Sequence, residues 1–158
     1  MVLEQIGTDH VQRLLERSGA VRTCLAQALA TDPDRADLAV TARELCEGAG
    51  QLWLVVDRSL AAGDSRPELR AVVLTEILRA SSGMRFCRIT FCAGQGMRDW
   101  IHLLDRIEAW AYEPEQGCAE IEWVGRKGWD REARKRGYRE KSRTWVKALG
   151  PKLQLVES

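Results

Sequence analysis

The spacing of apolar positions changes several times along the chain, and the changes mark out its elements. Val2–Ile6 reads as a short strand. Thr8 or Asp9 then caps a helix whose apolar side is Val11, Leu14 and Leu15, and a second helical stretch runs through Val21, Leu25 and Leu29. Asp32-Pro33 reads as a cap followed by proline at the first helical position, starting a helix that carries Leu38, Thr41, Ala42, Leu45 and Cys46 and stops at Gly48. The period then shortens. Residues 51–57, QLWLVVD, form a continuous apolar run of the length of a buried strand. After a turn-rich stretch at 61–67, residues 70–77 give a second strand, and the short link predicts a hairpin. A third strand, 85–92, follows the loop Ser81-Ser82-Gly83.

Helical spacing returns most strongly over 97–112, where Met97, Trp100, Ile101, Leu104, Ile107 and Ala111 share a face, with Pro114 and Gly117 beyond the end. Residues 119–124 alternate as a strand. Residues 128–136 read as a short basic helix closed by Gly137, and 138–147 as a last strand. Condensed, the order is βααβββαβαβ. This predicts an α/β (α+β) fold, a mixed, mostly antiparallel sheet flanked by helices. The whole chain, 1–158, is expected to be one domain: a mainly helical N-terminal part (1–50), then the sheet, a glycine turn and the C-terminal helices (51–149). An all-parallel nucleotide-binding sheet would need a crossover after almost every strand, which this order lacks.

Composition changes the picture only in places. With 45% hydrophobic and 30% charged residues, the chain has an ordinary globular make-up. No apolar run reaches the roughly 20 residues of a membrane helix. MVLEQIGTDH lacks a signal peptide's basic start and apolar stretch, so a cytoplasmic protein without membrane contact is expected. Five cysteines without a CxxC read as reduced, mostly buried thiols, and two histidines make a structural metal site an unfavoured reading. The net charge of +1 is uneven. Arg126 to Lys147 holds ten Lys/Arg and three Asp/Glu, a local +7, which points to an anionic partner or a solvated helix and edge strand.

Candidate chemistry centres on the turn after the third strand, AGQG at 93–96. Amides at a helix start lack helical partners and sit at the positive end of its dipole, and glycines allow a diphosphate to approach. Cys92, Ala93, Gly94, Gln95, Gly96, Met97 and Arg98 are therefore candidate phosphate-contacting residues, a bare structural turn being the other reading. Asp99 suits the helix dipole but opposes an anion. It also stands where a dinucleotide fingerprint has its third glycine, and no GK[ST] follows, so the dinucleotide fingerprint and Walker readings fail.

The element order and this turn resemble the GNAT superfamily of N-acetyltransferases, whose acyl-CoA pyrophosphate loop reads Q/R-x-x-G-x-G/A. Residues 91–96, FCAGQG, match at Gly94 and Gly96, with Phe91 at the leading position. The family's later motif, N-x-x-A-x-x-x-Y-x-x-x-G-F/Y, matches at Gly137-Tyr138, with Arg126, Trp129 and Ala133 at the asparagine, alanine and tyrosine positions. GQGMRDW (94–100), IEAW (107–110) and GRKGW (125–129) resemble small GNAT-like proteins of phages and prophages.

The resemblance implies acyl-CoA (acetyl-CoA or another) as cosubstrate, no metal, and transfer to an amine. Glu76, Glu120 and Glu122 are the strand carboxylates available as base. Glu76 is favoured, Glu122 is kept as a candidate, and Tyr138 is the candidate acid or a packing residue. The departures at Phe91, Arg126 and Ala133 support a second expectation: a non-catalytic interaction protein of a virion or its assembly, or a homo-oligomer. Arg126 and Trp129 would then contact the partner, in the host cytoplasm or the virion. Nucleic-acid binding through the basic segment ranks third, for want of a recognisable module.

Overall fold

The computed structural model describes residues 1–59, 67–125 and 127–150. Residues 1–124 form one compact unit and residues 125–158 a second. In the first, β1 (Val2–Ile6), β2 (Gln51–Asp57), β3 (Glu68–Arg79), β4 (Arg85–Gly94) and β5 (Glu120–Trp123) make one sheet in the order β1-β2-β3-β4-β5. The first three pairings are antiparallel and β4–β5 is parallel. Parallel neighbours need a crossover, and the helical stretch between Met97 and Tyr112 supplies it.

Alternation sends the two sets of strand side chains to opposite faces. Leu52, Leu54, Val72 and Leu74 meet three helices, α1 (Thr8–Arg17), α2 (Gly19–Leu29) and α3 (Leu38–Glu47), around Val11, Leu15, Val21, Leu25 and Leu45. Trp53, Val55, Ala71, Val73, Cys87 and Ile89 are buried on the other face. That face is shared with α4 (Met97–Trp100), a 3₁₀ segment (Ile101–Leu104) and α5 (Asp105–Tyr112). There Trp53 and Trp110 meet edge to face at 5.1 Å, and Trp53 Nε1 donates to Thr75 Oγ1, which donates to Gln51 Oε1. Thr75 is the polar residue buried deepest in the sheet, and this chain of donors is why it can be.

Several sequence expectations are corrected. Asp32-Pro33 opens only one turn, its carbonyl accepting from the amides of Arg35 and Ala36. The helix starts again at Asp37, whose carboxylate accepts from Val40 N–H. Three helices separate β1 from β2, one more than the condensed order βααβββαβαβ holds. Gly48 ends α3 with φ 81°, as read. The helix over 97–112 is broken by the 3₁₀ segment, and the 97–100 piece is a single turn. β3 and β4 run past the expected strands, so Ala93 and Gly94 belong to β4 rather than to a turn. Only two of the five cysteines, Cys87 and Cys118, are buried, and none is in a disulfide.

The second unit holds a 3₁₀ turn (Lys127–Trp129) and α6 (Asp130–Lys135). α6 closes with Gly137 at φ 83° and Tyr138 N–H bonded to Ala133 O, a Schellman-type end. The strand expected at 138–147 is absent among the described residues. Its alternation belongs to an exposed segment, with Trp145 88% exposed. No described helix is long and apolar enough to cross a membrane.

Asp57 ends β2 against the turn at Ser59. The Ser59 hydroxyl, then its amide, and more weakly Arg70, hold the Asp57 carboxyl below its ordinary value of 3.8. A depressed carboxylate adds stability that is full above the unfolded value and fades as pH falls toward the folded one. Acid titration of unfolding is therefore expected to be less steep below about pH 4 in Asp57→Asn than in the parent. Parallel curves would show that Asp57 carries none of the acid sensitivity.

Candidate functional site

The site is built where β4 leaves its neighbours. β4 pairs with β3 as Leu74↔Phe91 and Thr75↔Ile89, so Thr90 is an extra residue, a bulge whose Oγ1 donates to Leu74 O at 3.3 Å. On the other side, pairing with β5 ends at Ile89↔Trp123, followed by one bond from Val124 N–H to Ile89 O. From Thr90 to Gly94, β4 keeps β3 on one side and has no strand on the other among the described residues. The bulge and the divergence coincide, because a bulge twists its strand away from a regular neighbour. One edge of β4 is left without a neighbouring strand among the described residues.

That edge runs into the glycine turn, whose shape is set from within. Gln95 N–H bonds to Arg70 O and Gln95 O accepts from the indole of Trp100, which is 1% exposed. Gly96 takes φ 64°, ψ 41°, a left-handed conformation that suits glycine, and leads into α4. Gly94 meets a different demand: a Cβ there would lie 2.3 Å from Arg70 O and 2.4 Å from Ala71 Cβ. The amides of Gly96, Met97 and Arg98 have no main-chain acceptor among the described residues. Gly94, Gln95, Gly96 and Arg98 are exposed, while Cys92, Ala93 and Met97 are half-buried. Ala93 O is occupied by the Cys24 thiol of α2, whose pKa burial raises.

One step below the divergence lies a row of charge. Glu76, Arg88 and Glu122 are in register across β3, β4 and β5, on the face of the sheet that carries α1 to α3. Arg88 Nε bonds to Glu122 at 2.5 Å, and its guanidinium lies 5.7 Å from the centre of the Phe86 ring. Glu76, half-buried, has no hydrogen bond or ion pair among the described residues. Two sequence-selected carboxylates are thus brought together, one neutralised and the other not. Glu120 lies next along β5 and is exposed. Tyr138 and Trp129 belong to the second unit, both half-buried; Arg126 lies outside the described residues.

The sequence reading passed over Thr90, Arg88 and Trp100. Arg88 had a signal, a charge in the interior of a mostly apolar strand run. Trp100 appeared as one apolar helix position and as the end of the 94–100 stretch, with no role of its own. Thr90 had none, since a bulge is a property of two paired strands. No group of residues able to hold a metal ion occurs among the described residues.

No protein-family model matches the chain, and no curated protein matches its sequence. Solved structures do match its fold. A crystal structure of a probable acetyltransferase superposes with a TM-score of 0.64 at 12% identity, covering 96% of this chain and 100% of that one. The ribosomal-protein-alanine N-acetyltransferase of Brucella melitensis biovar Abortus 2308 gives 0.60 at 13% identity, covering 94% and 100%. An aminoglycoside acetyltransferase from an uncultured soil metagenomic sample, solved with trehalose, gives 0.55 at 10% identity, covering 96% and 95%. Likeness at these identities is likeness of architecture, and with the antiparallel sheet, the parallel fifth strand and the diverging edge it shows that the chain has the GNAT acetyltransferase fold.

Proposed function

We propose that the chain is an N-acyltransferase that takes its acyl group from acyl-CoA. The open edge of β4 carries this reading: a strand end with no strand on its far side among the described residues runs straight into an exposed glycine turn. An amide-containing arm can pair with such an edge as an added strand would. The diphosphate beyond the arm would then fall to the amides of Gly96, Met97 and Arg98 and to the Arg98 charge. Solved neighbours named for N-acetylation of a ribosomal protein and for aminoglycoside acetylation favour an amine as acceptor.

In this reading the amine nitrogen attacks the thioester carbonyl. The new C–N bond replaces C–S, the nitrogen's proton passes to Glu76, directly or through water, and the thiolate leaves. Glu76 is preferred to Glu122 because Arg88 already neutralises Glu122. Ala133 stands where the resemblance would place a tyrosine, so the thiolate takes its proton from solvent or another group.

Calorimetry with acetyl-CoA is expected to show micromolar binding. Chromatographic detection of free CoA with a panel of primary amines is expected to show turnover. Glu76→Gln should lower kcat by about 100-fold, within the range of general base catalysis, and leave acetyl-CoA affinity unchanged. Absence of binding at millimolar acetyl-CoA would overturn the reading. It would favour the second one, a partner-binding protein, for which the observation is the exposed Trp145 and Val146 in the basic segment and Leu149 just beyond it.

A further inference from the structure

Arg88 has a carboxylate across from it on each side, Glu76 on β3 and Glu122 on β5, and bonds to only one of them. Opposite charges facing each other across antiparallel strands pair readily, which would favour Glu76. Instead Arg88 Nε bonds to Glu122 at 2.5 Å, and no ion pair joins Arg88 to Glu76 among the described residues. Two contacts turn the guanidinium this way. One is Glu122. The other is Phe86, two residues back on β4 and so on the same face, with its ring centre 5.7 Å from Arg88 Cζ, a distance at which an aromatic ring attracts a cation. Phe86, Arg88 and Glu122 are half-buried, where charge contacts are screened less than in open solvent.

We propose that Glu122 and Phe86 are positioning residues that hold Arg88 off Glu76. This rests on the acyltransferase reading, with Glu76 as base, and adds what keeps that base able to act. A guanidinium bonded to Glu76 would occupy the oxygens that receive the amine's proton, and would favour the charged carboxylate over its protonated form. Both effects oppose proton transfer. With Arg88 drawn toward β5, the Glu76 oxygens stay open to the amine or to a water between the two. Glu122, a candidate base by sequence, then serves the reaction through Arg88 rather than by taking a proton.

Two measurements on the full chain test this, and the first needs no acyl-CoA. The Arg88–Glu76 coupling is read from urea unfolding of Arg88→Met, Glu76→Gln and their double variant, in the parent and again in Glu122→Gln. In the parent it should change the unfolding equilibrium constant by less than about twofold, and in Glu122→Gln by roughly fivefold, the size of a well-placed ion pair. Phe86→Leu, which keeps an apolar side chain without the ring, should raise the coupling in the same direction, and it carries the test if Glu122→Gln does not fold. The second measurement is turnover: Glu122→Gln should lower kcat by roughly tenfold, and adding Arg88→Met should restore most of it, which a second substitution would not do for lost packing. Coupling already large in the parent, or small in both Glu122→Gln and Phe86→Leu, would overturn the inference, as would a kcat that Arg88→Met fails to restore. The expected coupling in a chain that turns over no acyl-CoA would instead overturn the acyltransferase reading, and with it the catalytic use of this arrangement.

Discussion

Trp100→Ala is expected to lower the unfolding free energy by about 3–5 kcal/mol, the range for emptying a large aromatic site. Trp100 is among the largest fully buried side chains of the chain. Its loss leaves a void against the α4–α5 side of the sheet, and Gln95 O loses the indole donor that holds it at 2.8 Å. The stability of a domain this size is itself only about 5–15 kcal/mol, so the variant should be visibly marginal. Urea unfolding followed by far-ultraviolet circular dichroism measures it without confusion from the five remaining tryptophans. Trp100→Phe separates the two effects: it keeps most of the volume, loses the hydrogen bond, and should cost about 1–2 kcal/mol. A loss below 1 kcal/mol in the alanine variant would mean that this side chain does not anchor the turn to the core.

Gly94→Val is expected to cost about 3 kcal/mol or more, and Gly94→Ala nearly as much, because the first added carbon already collides. The atoms it would meet are Arg70 O and the Cα and Cβ of Ala71, none of which can swing aside as a flexible side chain would. Ala71 is fully buried, so β3 itself would have to shift. Gly96→Ala meets a different obstacle, the cost of holding a side chain at φ 64°, about 1–2 kcal/mol. Denaturant midpoints for the two series should separate the glycines clearly, and near-equal losses would refute the assignment. The distinction matters for function. Lost acyl-CoA binding in a Gly94 variant would report a damaged sheet and not a lost ligand contact.

The two glycines also show what kind of information a motif carries. Spacing alone marks Gly94 and Gly96 as equivalent small positions of one phosphate-loop pattern. In the fold, one is small so that β4 can press on β3, and the other is a glycine so that the chain can turn left-handed into α4. Sequence reasoning likewise selected Glu76 and Glu122 as strand carboxylates but had no means of ranking them by partner. Arg88 supplies the ranking, and its position between them follows from the register of three strands.

Several features were fixed by the residues themselves. The bounds of β1 and β2, the end of α3 at Gly48 and the closure of α6 at Gly137 follow from local pattern, because apolar period, capping and the left-handed freedom of glycine act within a few residues. The tertiary structure decided what depends on contacts far apart in sequence. It stopped the helical period of 97–112 after one turn and inserted a 3₁₀ segment. It left 138–147 without strand partners, and alternation cannot make a strand without a neighbour to accept its hydrogen bonds. It also placed the bulge at Thr90 and ended β5 pairing beside it, so the open edge arises from the register of β3, β4 and β5 together.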